Sequence, residues 1–115
     1  MRTDVVIIGA GTAGLAAARE VSKQTEDFLL VDPGPLGTTC ARVGCMPSKL
    51  LIEAAKAYHR RLSFAEFGIQ HADKLAVDMP AVMQRVQKLR DFFVDSTLEA
   101  TERFSQQLLK QKARL

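Results

Sequence analysis

The sequence predicts an α/β fold, a parallel sheet with helices packed on it, followed by a long helix. Three observations predict it. An unbroken β-branched run, Val5-Val6-Ile7-Ile8, stops at a glycine, the mark of a strand buried on both faces as in a parallel sheet. Gly9-Ala10-Gly11-Thr12-Ala13-Gly14 follows at once and leads into Leu15-Ala16-Ala17-Ala18-Arg19-Glu20-Val21, a small-residue helix ending near Lys23-Gln24. A second apolar run, Phe28-Leu29-Leu30-Val31, ends at Asp32 before Pro33-Gly34-Pro35, residues that punctuate a turn. Strand, helix and strand in that order form one unit.

The glycine spacing is that of a dinucleotide-binding turn, and each residue type in it has a mechanical reason. Gly9 permits the tight exit from the strand. Gly11 lacks a Cβ, so a pyrophosphate can approach the backbone, and Gly14 lets the helix pack close to the strand. The N–H groups at the helix start, at Thr12 and Ala13, together with the helix dipole suit a diphosphate. Asp32 lies 18 positions after Gly14, at the end of the second strand, where a carboxylate accepts hydrogen bonds from ribose hydroxyls. A glycine-rich helix start that binds nothing is the plainer alternative, and it gives Asp32 no reason. The unit alone does not separate FAD from NAD, since both present the same adenosine diphosphate.

At 115 residues, 47% hydrophobic and 25% charged, the chain is long enough for one domain and too short for two. Its 2 Cys exclude a disulfide-dense secreted scaffold. The apolar run from Val5 to Ala18 is cut by three glycines, lacks a cleavage pattern and is too short to cross a membrane. The expectation is a cytoplasmic protein with no membrane partner. Net charge is +3, yet residues 1–39 and 62–102 are each net negative. The positive excess lies in Arg42, Lys49, Lys56, Arg60 and Arg61, and again in Arg103, Lys110, Lys112 and Arg114. No aromatic residues are interleaved as in a nucleic-acid surface, so no nucleic-acid partner is expected.

Directly after the second strand comes Gly37-Thr38-Thr39-Cys40-Ala41-Arg42-Val43-Gly44-Cys45-Met46-Pro47-Ser48-Lys49. Two cysteines separated by four residues can close a small disulfide loop if Gly44 takes up the backbone strain. In a cytoplasmic protein such a disulfide is more often catalytic than structural. Pro47 suits the first turn of a helix continued by Leu50 to Tyr58, which puts Cys45 at a helix N-terminus, where a thiolate is favoured. Lys49, four residues on, projects from the same helix face. A zinc site would need about four ligands at suitable spacing, and no second CxxC or paired His supplies them, so no metal is expected. Inert buried cysteines are the remaining alternative.

At these residues the chain resembles the FAD-dependent pyridine nucleotide–disulfide oxidoreductases, whose active-site segment reads GGTCxNxGCxPSK. The Pro-Ser-Lys ending leans towards the dihydrolipoamide dehydrogenase and mercuric reductase branch. Tyr58-His59 and Ser63 to Ile69 continue the likeness. The resemblance implies a Rossmann-like FAD-binding domain, of which residues 1–115 are the N-terminal part, the remaining domains lying outside this sequence. It implies Cys45 as the thiol nearest the flavin, Cys40 as the interchange thiol, Lys49 beside the flavin and Asp32 on the adenosine ribose. Gly37, Thr38 and Thr39 would lie along the FAD diphosphate and ribityl, and Ala113 would carry an adenine contact. Implied partners are a small-molecule or lipoyl dithiol/disulfide substrate, NAD(H) held by a domain absent here, and a second copy in a homodimer. Three departures stand out: Thr38 replaces the second Gly, Ala41-Arg42 replaces an apolar residue and Asn, and Asp32 replaces Glu.

The rest reads as structural. His59 and His71 come with no placed carboxylate or nucleophile and are expected at surfaces or helix ends. Residues 70–77 look like a loop, and Asp78-Met79-Pro80 starts a long helix with Asp78 as N-cap. Val82, Val86, Leu89 and Phe93 recur at helical spacing with Met83 and Phe92 beside them, a stripe for core packing or a subunit contact. The competing function is a non-catalytic nucleotide-binding or redox-switch module complete at this length.

Overall fold

A computed structural model describes residues 2–114. In chain order the elements are β1 (Val5–Ile8), α1 (Thr12–Val21), β2 (Phe28–Val31), α2 (Thr39–Arg42), α3 (Cys45–His59), two 3-10 stretches (Arg60–Phe67 and Ala72–Lys74), α4 (Met79–Glu102) and β3 (Leu108–Leu109). The strands form one parallel sheet in the order β1-β2-β3. β1 pairs with β2 from Val5↔Phe28 to Ile8↔Val31, and β2 pairs with β3 at Leu30↔Leu108 and Val31↔Leu109. Parallel pairing brings the C-terminal ends of all three strands to one edge, the side of such sheets on which ligands bind.

The core lies between the sheet and α1. Ile7, Ala10, Leu15, Ala18, Phe28 and Leu30 form it, with Val5, Val21, Leu36, Phe104 and Leu108 packed around them. Phe104 meets Phe28 edge-on, ring centres 6.0 Å apart, which ties the segment after α4 back to the central strand. β2 is buried as expected. β1 is not: Val6 and Ile8 are 53% and 56% exposed while Ile7 is buried. β1 is an outer strand of the sheet, and α1 covers only the face towards which Ile7 points, so the expectation of burial on both faces is corrected for this strand.

α3 and α4 pack against each other as a hairpin, and the molecule is elongated, 69 Å long against widths of 25 and 24 Å. Asp78 caps α4 as expected, its carboxylate accepting the Ala81 N–H at 3.0 Å. Of the α4 stripe, Val86 is buried, Val82, Leu89 and Phe93 are half-buried, and Phe92 stays 66% exposed. The stripe is therefore core packing along its centre only. The expected loop 70–77 contains one short 3-10 turn. Among the described residues no helix is long and apolar enough to cross a membrane.

Candidate redox and nucleotide site

The glycine turn has the form its spacing demands. Gly9 adopts φ +98, open to glycine at little cost. A Cβ on Gly14 would stand 1.7 Å from the Gly9 carbonyl oxygen, so only glycine lets α1 approach β1 this closely. A Cβ on Gly11 would meet nothing within 4 Å, which leaves the backbone there open to a ligand. Gly11 also caps α1 without a side-chain hydrogen bond, so no cap competes for the N–H groups that open the helix at exposed Thr12 and Ala13. These residues fit the diphosphate of a dinucleotide.

Asp32 stands at the same sheet edge. One carboxylate oxygen accepts the Ala10 N–H at 2.6 Å and the other accepts the Gly34 N–H at 2.6 Å. Both oxygens thus hold backbone, and each keeps a second lone pair. Asp32 donates its own N–H to the Leu109 carbonyl at 3.1 Å, and Gln111 turns back onto the same carbonyl at 2.9 Å. Ala113 follows, half-buried and outside regular structure.

The chain then turns through Gly37 and Thr38 into α2, which carries Cys40. Thr38 is buried, and its hydroxyl oxygen accepts the Ala41 N–H at 3.1 Å. Thr39, exposed, opens α2. Arg42 reaches back to the Pro35 carbonyl at 3.2 Å, so this replacement for Asn clamps the loop. A Cβ on Gly44 would stand 3.1 Å from the Thr39 carbonyl oxygen; what this residue supplies is room for α2 and α3 to meet. α3 begins at Cys45 with no side-chain cap.

Cys40 and Cys45 are free thiols, the first half-buried and the second exposed. α2 and α3, which carry them, pack against each other, and hydrogen bonding to the Cys45 side chain is the main cause holding the Cys40 thiol above its ordinary pKa. Partial burial and the charge of Cys45 add to it, while the Cys45 backbone and the Lys49 ammonium pull the other way. Lys49 makes no ion pair among the described residues. His59 ends α3 and His71 precedes the second 3-10 stretch, both exposed.

An apolar recess of about 350 Å³ lies between the start of α1, α2, α3 and α4. Thr12 and Leu15 of α1, Thr38 and Cys40, Met46 of α3 and Phe93 of α4 are among its lining residues. Thr12, at the end of the glycine turn, and Cys40 of the thiol pair therefore line one hollow. Thr12, Thr38 and Cys40 are legible in the sequence as candidate site residues; Phe93 is not, its one signal being its place in the α4 stripe.

The family model described as pyridine nucleotide-disulphide oxidoreductase matches residues 3–112. The chain belongs to this family of oxidoreductases. It is 40% identical over 77 residues to a dihydrolipoyl dehydrogenase of Bacillus subtilis, covering 67% of this chain and 15% of that protein. It is 42% identical over 82 residues to the mitochondrial dihydrolipoyl dehydrogenase 1 of Arabidopsis thaliana, covering 70% and 16%. A mercuric reductase of Streptomyces lividans is 41% identical over 81 residues, covering 70% and 17%. The chain thus spans about a sixth of the length of these curated relatives. Among solved structures, the Cu(II) complex of the HOCl-induced flavoprotein disulfide reductase RclA from Escherichia coli superposes with a TM-score of 0.68, covering 97% of this chain and 22% of that one. At 20% identity this likeness is one of fold.

Proposed function

We propose that the chain is the N-terminal FAD-binding and redox-disulfide portion of a dihydrolipoamide dehydrogenase-like flavoprotein. The observation that carries the reading is the shared recess, which Thr12 at the head of α1 and Cys40 of the thiol pair both line. Gly9, Gly11, Thr12, Ala13 and Gly14 would hold the FAD diphosphate, Asp32 the adenosine ribose, Gly37, Thr38 and Thr39 the stretch towards the flavin, and Ala113 the adenine. Bound FAD would supply two-electron transfer between the cysteine pair and NAD(H). A homodimer and NAD(H) as the outer partner are carried by the resemblance alone.

The chain's own chemistry is thiol–disulfide exchange. With the pair reduced, the Cys40 thiolate attacks one sulfur of a substrate disulfide, forming a mixed disulfide and releasing a substrate thiolate. Cys45 then attacks the Cys40 sulfur, closing Cys40–Cys45 and releasing the second substrate thiol. Two electrons pass to the substrate. Run backwards, a dithiol such as dihydrolipoamide reduces the pair. Lys49 offsets negative charge as the thiolates form.

The test mixes the chain, oxidised at Cys40–Cys45, with dihydrolipoamide. The proposal expects one lipoamide formed per chain, two new thiols at Cys40 and Cys45, and no such exchange in Cys45→Ser. A chain that never forms the disulfide, or that releases no lipoamide, contradicts it.

A further inference from the structure

Thr38 stands where the family pattern has glycine. It adopts φ 57 and ψ 146, a backbone region that a β-branched side chain enters only under strain. It is 8% exposed, so the side chain is committed to the fold. Its hydroxyl oxygen accepts the Ala41 N–H and its carbonyl accepts the Arg42 N–H, each at 3.1 Å. Both bonds fasten α2, a helix of four residues of which Cys40 is the second. A single turn has no interior ladder to hold it, and its backbone groups are nearly all end groups. A glycine would supply the backbone angles freely and leave the Ala41 N–H without this partner.

We propose that Thr38 is a positioning residue, whose side-chain cap and fixed backbone hold α2 in the orientation that brings the Cys40 thiol to Cys45. The inference rests on the reading of Cys40 and Cys45 as a redox pair. Closing their disulfide takes two electrons and two protons from the thiols; oxidised glutathione accepts them and becomes two glutathione thiols. The equilibrium constant of that exchange rises with how well the fold pre-arranges the two sulfurs.

The experiment equilibrates the full chain in buffers of oxidised and reduced glutathione, traps free thiols by alkylation, and reads the disulfide fraction by mass. Thr38→Val keeps the branched shape and removes the acceptor; Thr38→Ser keeps the acceptor. The expected result is a shift of about fivefold towards the dithiol form in Thr38→Val, with Thr38→Ser within about twofold of the parent. Should Thr38→Val not reach the parent's far-ultraviolet spectrum, Thr38→Ala deletes the same hydroxyl without bulk and gives the same readout. A parent that closes its disulfide while the hydroxyl-free variant titrates with it overturns the role of Thr38. Thr38→Ser shifting as far as the hydroxyl-free variant does so too. A parent that closes no Cys40–Cys45 disulfide at any glutathione ratio overturns the redox reading itself.

Discussion

The Asp32 carboxylate accepts the Ala10 N–H at 2.6 Å, joining the end of β2 to the glycine turn that leaves β1. The acid that the sequence suggests for a ribose thus holds in place the turn that a diphosphate would meet. With Gly34 bound to its other oxygen, Asp32 ties the glycine turn to the Pro-Gly-Pro turn that follows β2.

This brace predicts a stability cost. Ala10 is 2% exposed, so its N–H loses its acceptor when the carboxylate is removed. Asp32→Ala should lower the unfolding free energy by about 2–3 kcal/mol, and Asp32→Asn, which keeps one acceptor oxygen, by about half as much. Urea unfolding followed by circular dichroism measures both. An Asp32→Ala midpoint equal to the parent's contradicts the brace.

Gly14 and Gly11 should separate in the same assay. Gly14→Ala drives a Cβ to 1.7 Å from a backbone oxygen, so α1 must lift off β1, at a cost of about 3 kcal/mol or more. Gly11→Ala meets no atom within 4 Å and sits at φ −79, so its stability should stay within about 1 kcal/mol of the parent. Equal losses at the two positions would show that the close approach of helix and strand is not what requires Gly14.

The Cys40 thiol gives a pH-dependent prediction with two signs. Its pKa is raised first by the hydrogen bond with Cys45, and Lys49 acts in the opposite sense. Removing the raising cause in Cys45→Ala should move the pH profile of Cys40 alkylation to lower pH. Removing the lowering cause in Lys49→Ala should move it to higher pH. Iodoacetamide rates between about pH 6 and pH 11 span the ordinary thiol range on both sides. Profiles that move together, or not at all, contradict the assigned causes.

How far the sequence could be read follows from what each pattern encodes. β2 falls on Phe28–Val31 as expected because it is the central strand and is closed by Asp32 and a Pro-Gly-Pro turn. Asp78 is legible because an N-cap is a local contact. Val6 and Ile8 mislead because a β-branched run reports what a strand can bury, not whether a helix covers each face. α1 begins at Thr12, earlier than its apolar residues suggest, since Gly14 belongs to both turn and helix. α2 escapes notice because four residues are too few to show a helical period. The residue types of the candidate site stand in the turn and the cysteine segment. The backbone partners of Asp32 and the cap made by Thr38 are not legible there, because they depend on where a side chain ends rather than on what it is.

Addition of FAD to the chain tests most directly the claim that the glycine turn and the cysteine pair form one site. Flavin absorbance and fluorescence are followed against FAD concentration up to about 1 mM, the range of weak binding, with Cys40 and Cys45 either as a disulfide or as thiols. The expected result is saturable binding, weakened at least about tenfold in Gly11→Ala, and a flavin spectrum that differs between the disulfide and dithiol forms, whereas the same oxidising and reducing treatments leave the Cys45→Ser spectrum unchanged. The contradicting result is no saturable binding, or a flavin bound equally by Gly11→Ala whose spectrum ignores the state of the cysteines.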